Sequence, residues 1–334
     1  MENPVLIEVM RGALVESRHR GAVCVMDASG AVVLSLGDTT TPIYPRSAVK
    51  AIQALVLVES GAADRYRFAE EELALACASH AGEAGHVAGV ERMLARPGLD
   101  VSALQCGAHW PTHRPSADAL VRAGLSPSPL HHNCSGKHAG FLCAACVMGS
   151  ELRAYIAPEN RVQREVRAAL EALSGSRIED EHVGVDGCSV PTFAVPLGGL
   201  ARAFAVFASG QGLPPIRAAA CQRLRAACAA QPWFVAGTGL FATEVMGHFS
   251  SRVFVKGGAE GVYCAALPEH GLGIAVKCDD GAGRAAEVIM AAILSRLIGD
   301  DPLLARYARP PVRNWRGTLV GEVRCASALG GGKS

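Results

Sequence analysis

The 334-residue sequence lacks both a long uninterrupted apolar segment and an excess of charge of either sign. Its best apolar candidates, 140–149 and 197–208, are shorter than the roughly 20 residues needed to cross a bilayer. With 32 basic and 31 acidic residues, the net charge is only +1. This charge balance does not indicate a nucleic acid or an anionic membrane as a partner. A transmembrane protein and a nucleic-acid-binding protein are therefore not expected.

The N-terminal residues 1–12 also lack the basic region followed by an apolar one that marks a secretory signal. No internal repeat or low-complexity segment is present. Half of the residues are apolar, which is ample for a large buried core. We therefore expect a globular protein located in the cytoplasm.

Twelve cysteines would suggest a disulfide scaffold only in a short secreted chain. Cys134 and Cys188 differ from most of the others because they lie among glycines and polar residues. Seven others lie in apolar, alanine-rich segments and are expected to pack as small hydrophobes: Cys24, Cys77, Cys143, Cys146, Cys221, Cys228 and Cys264.

Strand patterns lie at the two ends of the chain and helical patterns lie between them. Residues 21–38 are two apolar runs joined by a turn sequence, which predicts a hairpin, and Val5–Met10 could add a strand. Three short apolar runs after Pro232, separated by glycines, predict an antiparallel meander. Helical periodicity follows Pro45 and ends at Gly61, and further helices are predicted at 84–95, 136–148, 159–173, 197–209, 214–229 and 282–298.

This order predicts an α/β (α+β) fold in one catalytic unit spanning 1–330. Strands at about 5–40 and 250–280 are expected to pair in one antiparallel sheet covered by helices. Residues 62–235 would form a mainly helical part beside the sheet, leaving a cleft between the two. Residues 327–334 are expected to be a flexible tail.

Ser47 and Lys50 open a predicted helix in the segment PRSAVK. Their spacing of three places both side chains on one face of the first turn. A desolvated lysine can take the proton of a serine and make it a nucleophile, and S-x-x-K is the motif of serine β-lactamases and penicillin-binding proteins. The same four residues also arise when a serine caps a helix beside a solvated lysine, so the motif alone does not establish a site.

Two later residues extend the pattern. Ser79 follows an apolar helical stretch in CASHAGE, and Lys256 ends an apolar strand in VFVKGG. The β-lactamase layout likewise has a second serine from the helical part and a strand lysine near a glycine, although here neither segment matches that motif fully. An acyl-transfer site is the leading interpretation.

The segment HHNCSGKHAGF at 131–141 could be a polar loop that opens a helix, or a metal site. A zinc site would need Cys188 as a second thiolate, and no C-x-x-C spacing accompanies either cysteine, which argues against a closed structural site. The sequence does not decide which nearby nitrogen would be the third ligand. The conventional donors are His131, His132 and His138, and Lys137 is an unconventional one.

Taken together and in order, six segments resemble the Rhizobium etli-type, or class 3, L-asparaginases. They span about 40–265 and comprise YPRSAVKAIQA, CASHAGE, HHNCSGKHAGFL, GVDGCSVPTFAVPL, VAGTG and FVKGGAEGVY. The resemblance implies a fold similar to serine β-lactamases and glutaminases. It also implies a homodimer that hydrolyses L-asparagine to L-aspartate and ammonia.

The resemblance further implies specific roles. Two Ser–Lys pairs carry over as Ser47 with Lys50 and Ser79 with Lys256. Zinc is held by Cys134, Lys137 and Cys188, so the nitrogen ligand is the lysine rather than a histidine. Asp186 and His138 flank the metal ligands and are expected to meet the charged ends of the substrate, with Arg46 as a weaker candidate.

The expected reaction is acyl transfer, with Lys50 as the base for Ser47, the second pair relaying protons to the leaving amine, and zinc orienting the amino acid. Ser79 is the alternative nucleophile, and the sequence does not decide between them. Two rival functions are a β-lactamase or esterase-like serine hydrolase and a zinc-binding regulatory protein.

Overall fold

The computed structural model describes residues 2–330. These residues contain twelve strands: β1 (Val5–Arg11), β2 (Leu14–Asp27), β3 (Val32–Leu36), β4 (Pro42–Ile43), β5 (Val183–Val185), β6 (Pro191–Phe193), β7 (Val195–Pro196), β8 (Phe254–Gly258), β9 (Val262–Leu267), β10 (Leu272–Cys278), β11 (Pro311–Arg313) and β12 (Leu319–Cys325).

Fourteen α-helical segments connect the strands within the same range. They are α1 (Lys50–Gln53), α2 (Leu55–Glu59), α3 (Ala62–Arg65), α4 (Glu70–Ala76), α5 (Ala84–Ala95), α6 (Arg114–Arg122), α7 (Ser135–Met148), α8 (Arg161–Ser174), α9 (Leu197–Ser209), α10 (Pro215–Ala230), α11 (Pro232–Val235), α12 (Phe241–Phe249), α13 (Gly283–Ile298) and α14 (Pro302–Ala308).

One eight-stranded antiparallel sheet organises the molecule, in the order β11-β12-β1-β2-β10-β9-β8, with β3 also pairing with β2. The long strand β2 is central because its first half pairs with β1 and its second half pairs with β10. Strands from the two ends of the chain thus share one sheet, which confirms the predicted fold class.

Helices cover both faces of the sheet. Consecutive residues of β9 are all buried, so neither face of this strand meets solvent. Helices α9 and α13 both pack against β9 and β10. Because side chains alternate between the two faces of a strand, one covering layer could not bury every residue of β9.

Five helices in the middle of the chain follow the predicted pattern closely, whereas α6 was not predicted. The five helices predicted between 84 and 229 are present as α5, α7, α8, α9 and α10, with ends shifted by no more than two residues. The helix predicted after Pro45 is instead divided into a 3-10 turn, Arg46–Val49, and the short helices α1 and α2. Six of the seven cysteines expected to pack as hydrophobes are buried, and Cys146 is partly exposed.

Two strands and a helix near the C-terminus were absent from the predicted pattern. β12 pairs with β1, and β11 with β12, which extends the sheet beyond the predicted strands. Of the expected tail at 327–334, Ser327–Leu329 forms a 3-10 turn, and 331–334 lie outside the described residues. None of the helices in 2–330 combines the length and the apolar character that a bilayer span requires.

Gly273 tests the contact between the sheet and α9. A Cβ atom at this position of β10 would lie 2.0 Å from the carbonyl oxygen of Ala201 and 2.2 Å from the nitrogen of Ala205. Gly273→Ala should therefore lower the free energy of unfolding by about 1–3 kcal/mol, because the strand and the helix must separate. Gly283→Ala is the matched control, since its Cβ would meet nothing within 4 Å, and it should change stability by less than about 0.5 kcal/mol. Urea denaturation of both variants measures the difference, and equal stability would contradict the close packing.

Candidate active site

Several chain segments meet at the end of β8. The segment that follows α4 is held on both sides, because the Ser79 amide donates to the carbonyl of Val235 at 3.0 Å and the His80 amide to that of Asn133 at 3.2 Å. The 3-10 turn Arg46–Val49 packs directly on β8, where a Cβ atom at Gly258 would lie 2.5 Å from the carbonyl oxygen of Pro45. Backbone contacts thus bring residues far apart in the sequence to one place.

Two lysine amines converge on one serine hydroxyl. Lys50 Nζ lies 2.9 Å from Ser79 Oγ, and Lys256 Nζ lies 2.8 Å from the same atom. Both lysines are buried, with exposures of 0% and 3%. Lys256 is thus in contact with Ser79, whereas Lys50, which the sequence analysis paired with Ser47, contacts Ser79 instead.

The two amines have different surroundings. Lys50 Nζ also donates to the carbonyl of Ala78 at 2.6 Å and approaches that of Asn133 at 3.4 Å, so it has three oxygen acceptors. Lys256 Nζ has one other acceptor, its neighbouring carbonyl of Gly257 at 2.9 Å. Burial, with a further contribution from the charge of Lys50, holds the pKa of Lys256 well below its usual value.

Ser47 lies in the 3-10 turn next to these groups. Within residues 2–330 its hydroxyl has no side-chain hydrogen bond to either lysine. The preceding residue, Arg46, has a φ of 51°, a left-handed conformation that is uncommon for a residue with a side chain. Such strain tends to collect at functional sites, where the surrounding structure holds it in place.

Arg46 and Asp186 form an ion pair. Arg46 Nε donates to Asp186 Oδ1 at 2.6 Å, and the Gly187 amide donates to the same oxygen at 2.8 Å. Burial acts to raise the pKa of Asp186, but Lys137 and Arg46 outweigh it and hold the pKa below its usual value. The predicted substrate-binding residues Arg46 and Asp186 are therefore in contact with each other and carry opposite charges.

Cys134, Lys137 and Cys188 are brought together and buried. Lys137 Nζ lies 3.2 Å from Cys188 Sγ, and the two thiol groups contact each other. This thiol contact, aided by Lys50 and Lys137, holds the pKa of Cys134 well below its usual value, while the same contact and burial raise the pKa of Cys188. The pKa values of the two thiols are thus shifted in opposite directions.

This donor set fits zinc. Burial acts to lower the pKa of Lys137, but Cys188, Cys134 and Asp186 outweigh it and raise the pKa. A metal ion between the two sulfurs and this nitrogen would take the place of the ammonium proton, and thiolate with nitrogen is a ligand set that zinc prefers. Among residues 2–330, no group of three or more histidine, cysteine or acidic residues is placed to hold a metal.

His138 lies beside these residues and is fully buried. Its Nδ1 is 2.7 Å from the hydroxyl of Tyr155, which also accepts from the Gln105 amide at 2.8 Å. Its Nε2 is buried and has no hydrogen-bond partner within the described residues. Burial, with the charge of Lys137, holds the pKa of His138 well below its usual value, so the imidazole is neutral.

The structure also reveals residues that the sequence analysis did not select. His80 Nε2 lies 2.8 Å from Ser135 Oγ, and its Nδ1 accepts from the Gly82 amide at 3.1 Å. This bridge joins the chain neighbours of Ser79 and Cys134. Both of its residues lie inside the quoted motifs and could have been noticed there, whereas Tyr155 lies in no motif and has no signal in the sequence.

A family model described as L-asparaginase II matches residues 7–325. The chain belongs to the L-asparaginase II family. The match spans nearly the whole chain and includes every segment that contributes to the site. Membership of the L-asparaginase II family supports an amidohydrolase of the asparaginase type that acts on a small molecule.

None of the curated proteins matches this L-asparaginase II family member. Among solved structures, the protein Mglu in its native form has 16% identity and a TM-score of 0.45, covering 89% of this chain and 68% of its own. A β-lactamase from Mycobacterium bovis also has 16% identity, with a TM-score of 0.40, covering 83% of this chain and 94% of its own. Similarity at this level carries no argument about the activity of this chain.

Proposed function

We propose that the protein is an L-asparaginase of the Rhizobium etli type that hydrolyses L-asparagine to L-aspartate and ammonia through an acyl-enzyme on a serine. The observation that carries the proposal is the pair of buried lysine amines within 2.9 Å of one serine hydroxyl. A serine needs a nearby base to become a nucleophile, and a lysine amine serves as that base only when burial keeps it neutral.

The surroundings of the two lysines support a division of roles. Lys50, with its three oxygen acceptors, suits an ammonium group that donates to Ser79 Oγ. Lys256, whose pKa is held well below the usual value, suits a neutral amine whose lone pair accepts the Ser79 proton. The fixed charge of Lys50 would then stabilise the developing alkoxide.

The reaction would proceed in two balanced steps. Ser79 Oγ attacks the side-chain amide carbon while Lys256 takes the hydroxyl proton, and the C–N bond breaks as that proton passes to the leaving nitrogen, releasing ammonia. Water then attacks the β-aspartyl ester with Lys256 again as base, which releases L-aspartate and returns the proton to Ser79. The sequence analysis favoured Ser47 with Lys50, and the two short distances to Ser79 now favour its alternative.

The groups around this centre would bind the amino acid. Asp186 is suited to the substrate ammonium and His138 to its carboxylate, because the first is an anion and the second has an unpartnered buried nitrogen. Cys134, Lys137 and Cys188 would hold zinc, and bound zinc would supply positive charge for orienting the substrate. The homodimer and the cytoplasmic location implied by the sequence stay predictions.

An ammonia-release assay tests the proposed substrate. The purified protein should release ammonia from L-asparagine, with L-glutamine and a chromogenic β-lactam as comparison substrates. Turnover of the β-lactam alone would favour the β-lactamase-like rival. No turnover of any of the three by zinc-loaded protein would favour the regulatory rival.

Paired serine variants test the nucleophile. Ser79→Ala should lower kcat about a thousandfold or more, because the atom that forms the ester is removed. Ser47→Ala, the matched control from the neighbouring turn, should lower kcat less than about tenfold. Zinc content by elemental analysis should be unchanged in both variants. A larger loss of kcat in Ser47→Ala than in Ser79→Ala would instead identify Ser47 as the nucleophile.

Metal-ligand variants test the zinc assignment. Cys188→Ala and Lys137→Ala should both lower bound zinc and raise KM, with a smaller effect on kcat than Ser79→Ala, because orientation acts first on binding. Zinc affinity should also fall as the pH drops, since a proton competes for Lys137 and for both thiolates. His132→Ala is the control: His132 Nδ1 accepts from the Cys134 amide at 3.0 Å but is not in the donor set. Elemental analysis and saturation kinetics measure all three, and loss of zinc in His132→Ala but not in Lys137→Ala would reject the lysine ligand.

A further inference from the structure

Tyr155 is a buried residue next to the candidate site, and its hydroxyl has two hydrogen-bond partners. It follows the 3-10 turn Leu152–Ala154, and its carbonyl accepts from Gln163 Nε2 at 2.9 Å, which fixes its backbone. The Gln105 amide donates to the Tyr155 hydroxyl at 2.8 Å, and His138 Nδ1 lies 2.7 Å from the same oxygen. The side chain is 0% exposed, so solvent offers no third partner.

The direction of the bond between Tyr155 and His138 follows from counting hydrogens. The partner on Gln105 is its backbone N–H group, which can only donate, so this bond uses a lone pair of the phenol oxygen. The single phenol hydrogen then has one acceptor within residues 2–330, which is His138 Nδ1. If His138 donated from Nδ1 instead, the phenol hydrogen would be buried without a partner, which is unfavourable.

This direction fixes the tautomer of His138. A neutral imidazole carries one N–H group, so an accepting Nδ1 places the hydrogen on Nε2. Nε2 is buried and has no acceptor among the described residues, and a buried donor without a partner is costly. Such a nitrogen has no free lone pair and cannot ligate a metal, but it can donate to an oxygen of a bound molecule.

We propose that Tyr155 is a positioning residue that holds His138 as the Nε2–H tautomer, so that His138 donates a hydrogen bond to a carboxylate oxygen of the substrate and does not compete with Lys137 for zinc. The hydrogen bond from His138 to the substrate rests on the function proposed above, whereas the tautomer of His138 is a property of the free protein. Tyr155 acts only through His138, because its hydroxyl has no hydrogen bond to the serines or lysines of the site within the described residues.

Nitrogen NMR of the free protein tests the tautomer directly. Long-range proton–nitrogen spectra of protein labelled with ¹⁵N-histidine distinguish Nδ1–H from Nε2–H, and the signals lost in His138→Gln identify His138. The wild-type protein should show the Nε2–H form. Tyr155→Phe should lose this preference and show both forms, because the phenol hydrogen that fixed Nδ1 as an acceptor is gone.

Kinetics then tests the role of the tautomer. Tyr155→Phe should raise the KM for L-asparagine about tenfold while kcat changes less than about twofold and zinc content stays the same. Tyr307→Phe is the matched control. It removes a tyrosine hydroxyl on α14 that donates a hydrogen bond to Glu244 at 2.8 Å. Its KM and its histidine spectrum should equal those of the wild type.

A pair of histidine variants provides the rescue test. In His138→Gln the side-chain amide nitrogen reaches the position of Nε2 and can donate, whereas in His138→Asn it does not reach. His138→Gln should therefore retain substrate affinity better than His138→Asn, with equal zinc content in the two.

The outcomes separate this inference from the proposed function. An Nδ1–H form of His138 in the wild-type protein, or an unchanged spectrum in Tyr155→Phe, would overturn the inference whatever the protein hydrolyses. If Tyr155→Phe does not fold, the wild-type spectrum alone decides the tautomer. An Nε2–H form without turnover of L-asparagine would instead refute the substrate and leave the tautomer standing.

Discussion

Lys50, Lys137 and Lys256 are each less than 4% exposed, and a buried ammonium group is stable only where acceptors or negative charge surround it. Each lysine meets this constraint differently. Lys137 lies beside Cys188, Cys134 and Asp186, which raise its pKa, and Lys50 has three oxygen acceptors. Lys256 has two acceptors, and burial holds its pKa well below the usual value. One residue type thereby occupies three different electrostatic environments within one small region.

Small side chains allow these environments to exist. A Cβ atom at Gly136, near the start of α7, would lie 2.3 Å from the carbonyl oxygen of Leu75 on α4, so the two helices touch backbone to backbone. This approach places the end of α4, which leads to Ser79, beside the start of α7, which follows Cys134. The same proximity is reinforced by the bond between His80 and Ser135. The glycine-rich and alanine-rich composition thus sets the distance between the serine centre and the thiol pair.

Periodicity predicted six of the longer helices and the shared sheet, because both patterns arise from one buried face, but it did not predict α6, α12 or α14. It missed β11 and β12, whose partly exposed residues give a weaker alternation. Motifs identified the candidate site residues, several of which are in contact in the structure. They could not predict that Lys50 would contact Ser79, nor the position of Tyr155, because both depend on how distant segments pack. Spacing along the chain defines neighbours only within one turn of a helix.

The pairing of β2 with β10 has a consequence for how the protein folds. Residues about 250 positions apart must find each other before the centre of the sheet exists, and closing so long a loop is entropically expensive and slow. Lys256 lies on β8, the strand that enters this sheet through β9 and β10. A chain emerging from the ribosome therefore contains Ser79 and Cys134 long before it contains Lys256. The contact between Lys256 and Ser79 therefore forms only after β8 has been synthesised and has joined the sheet.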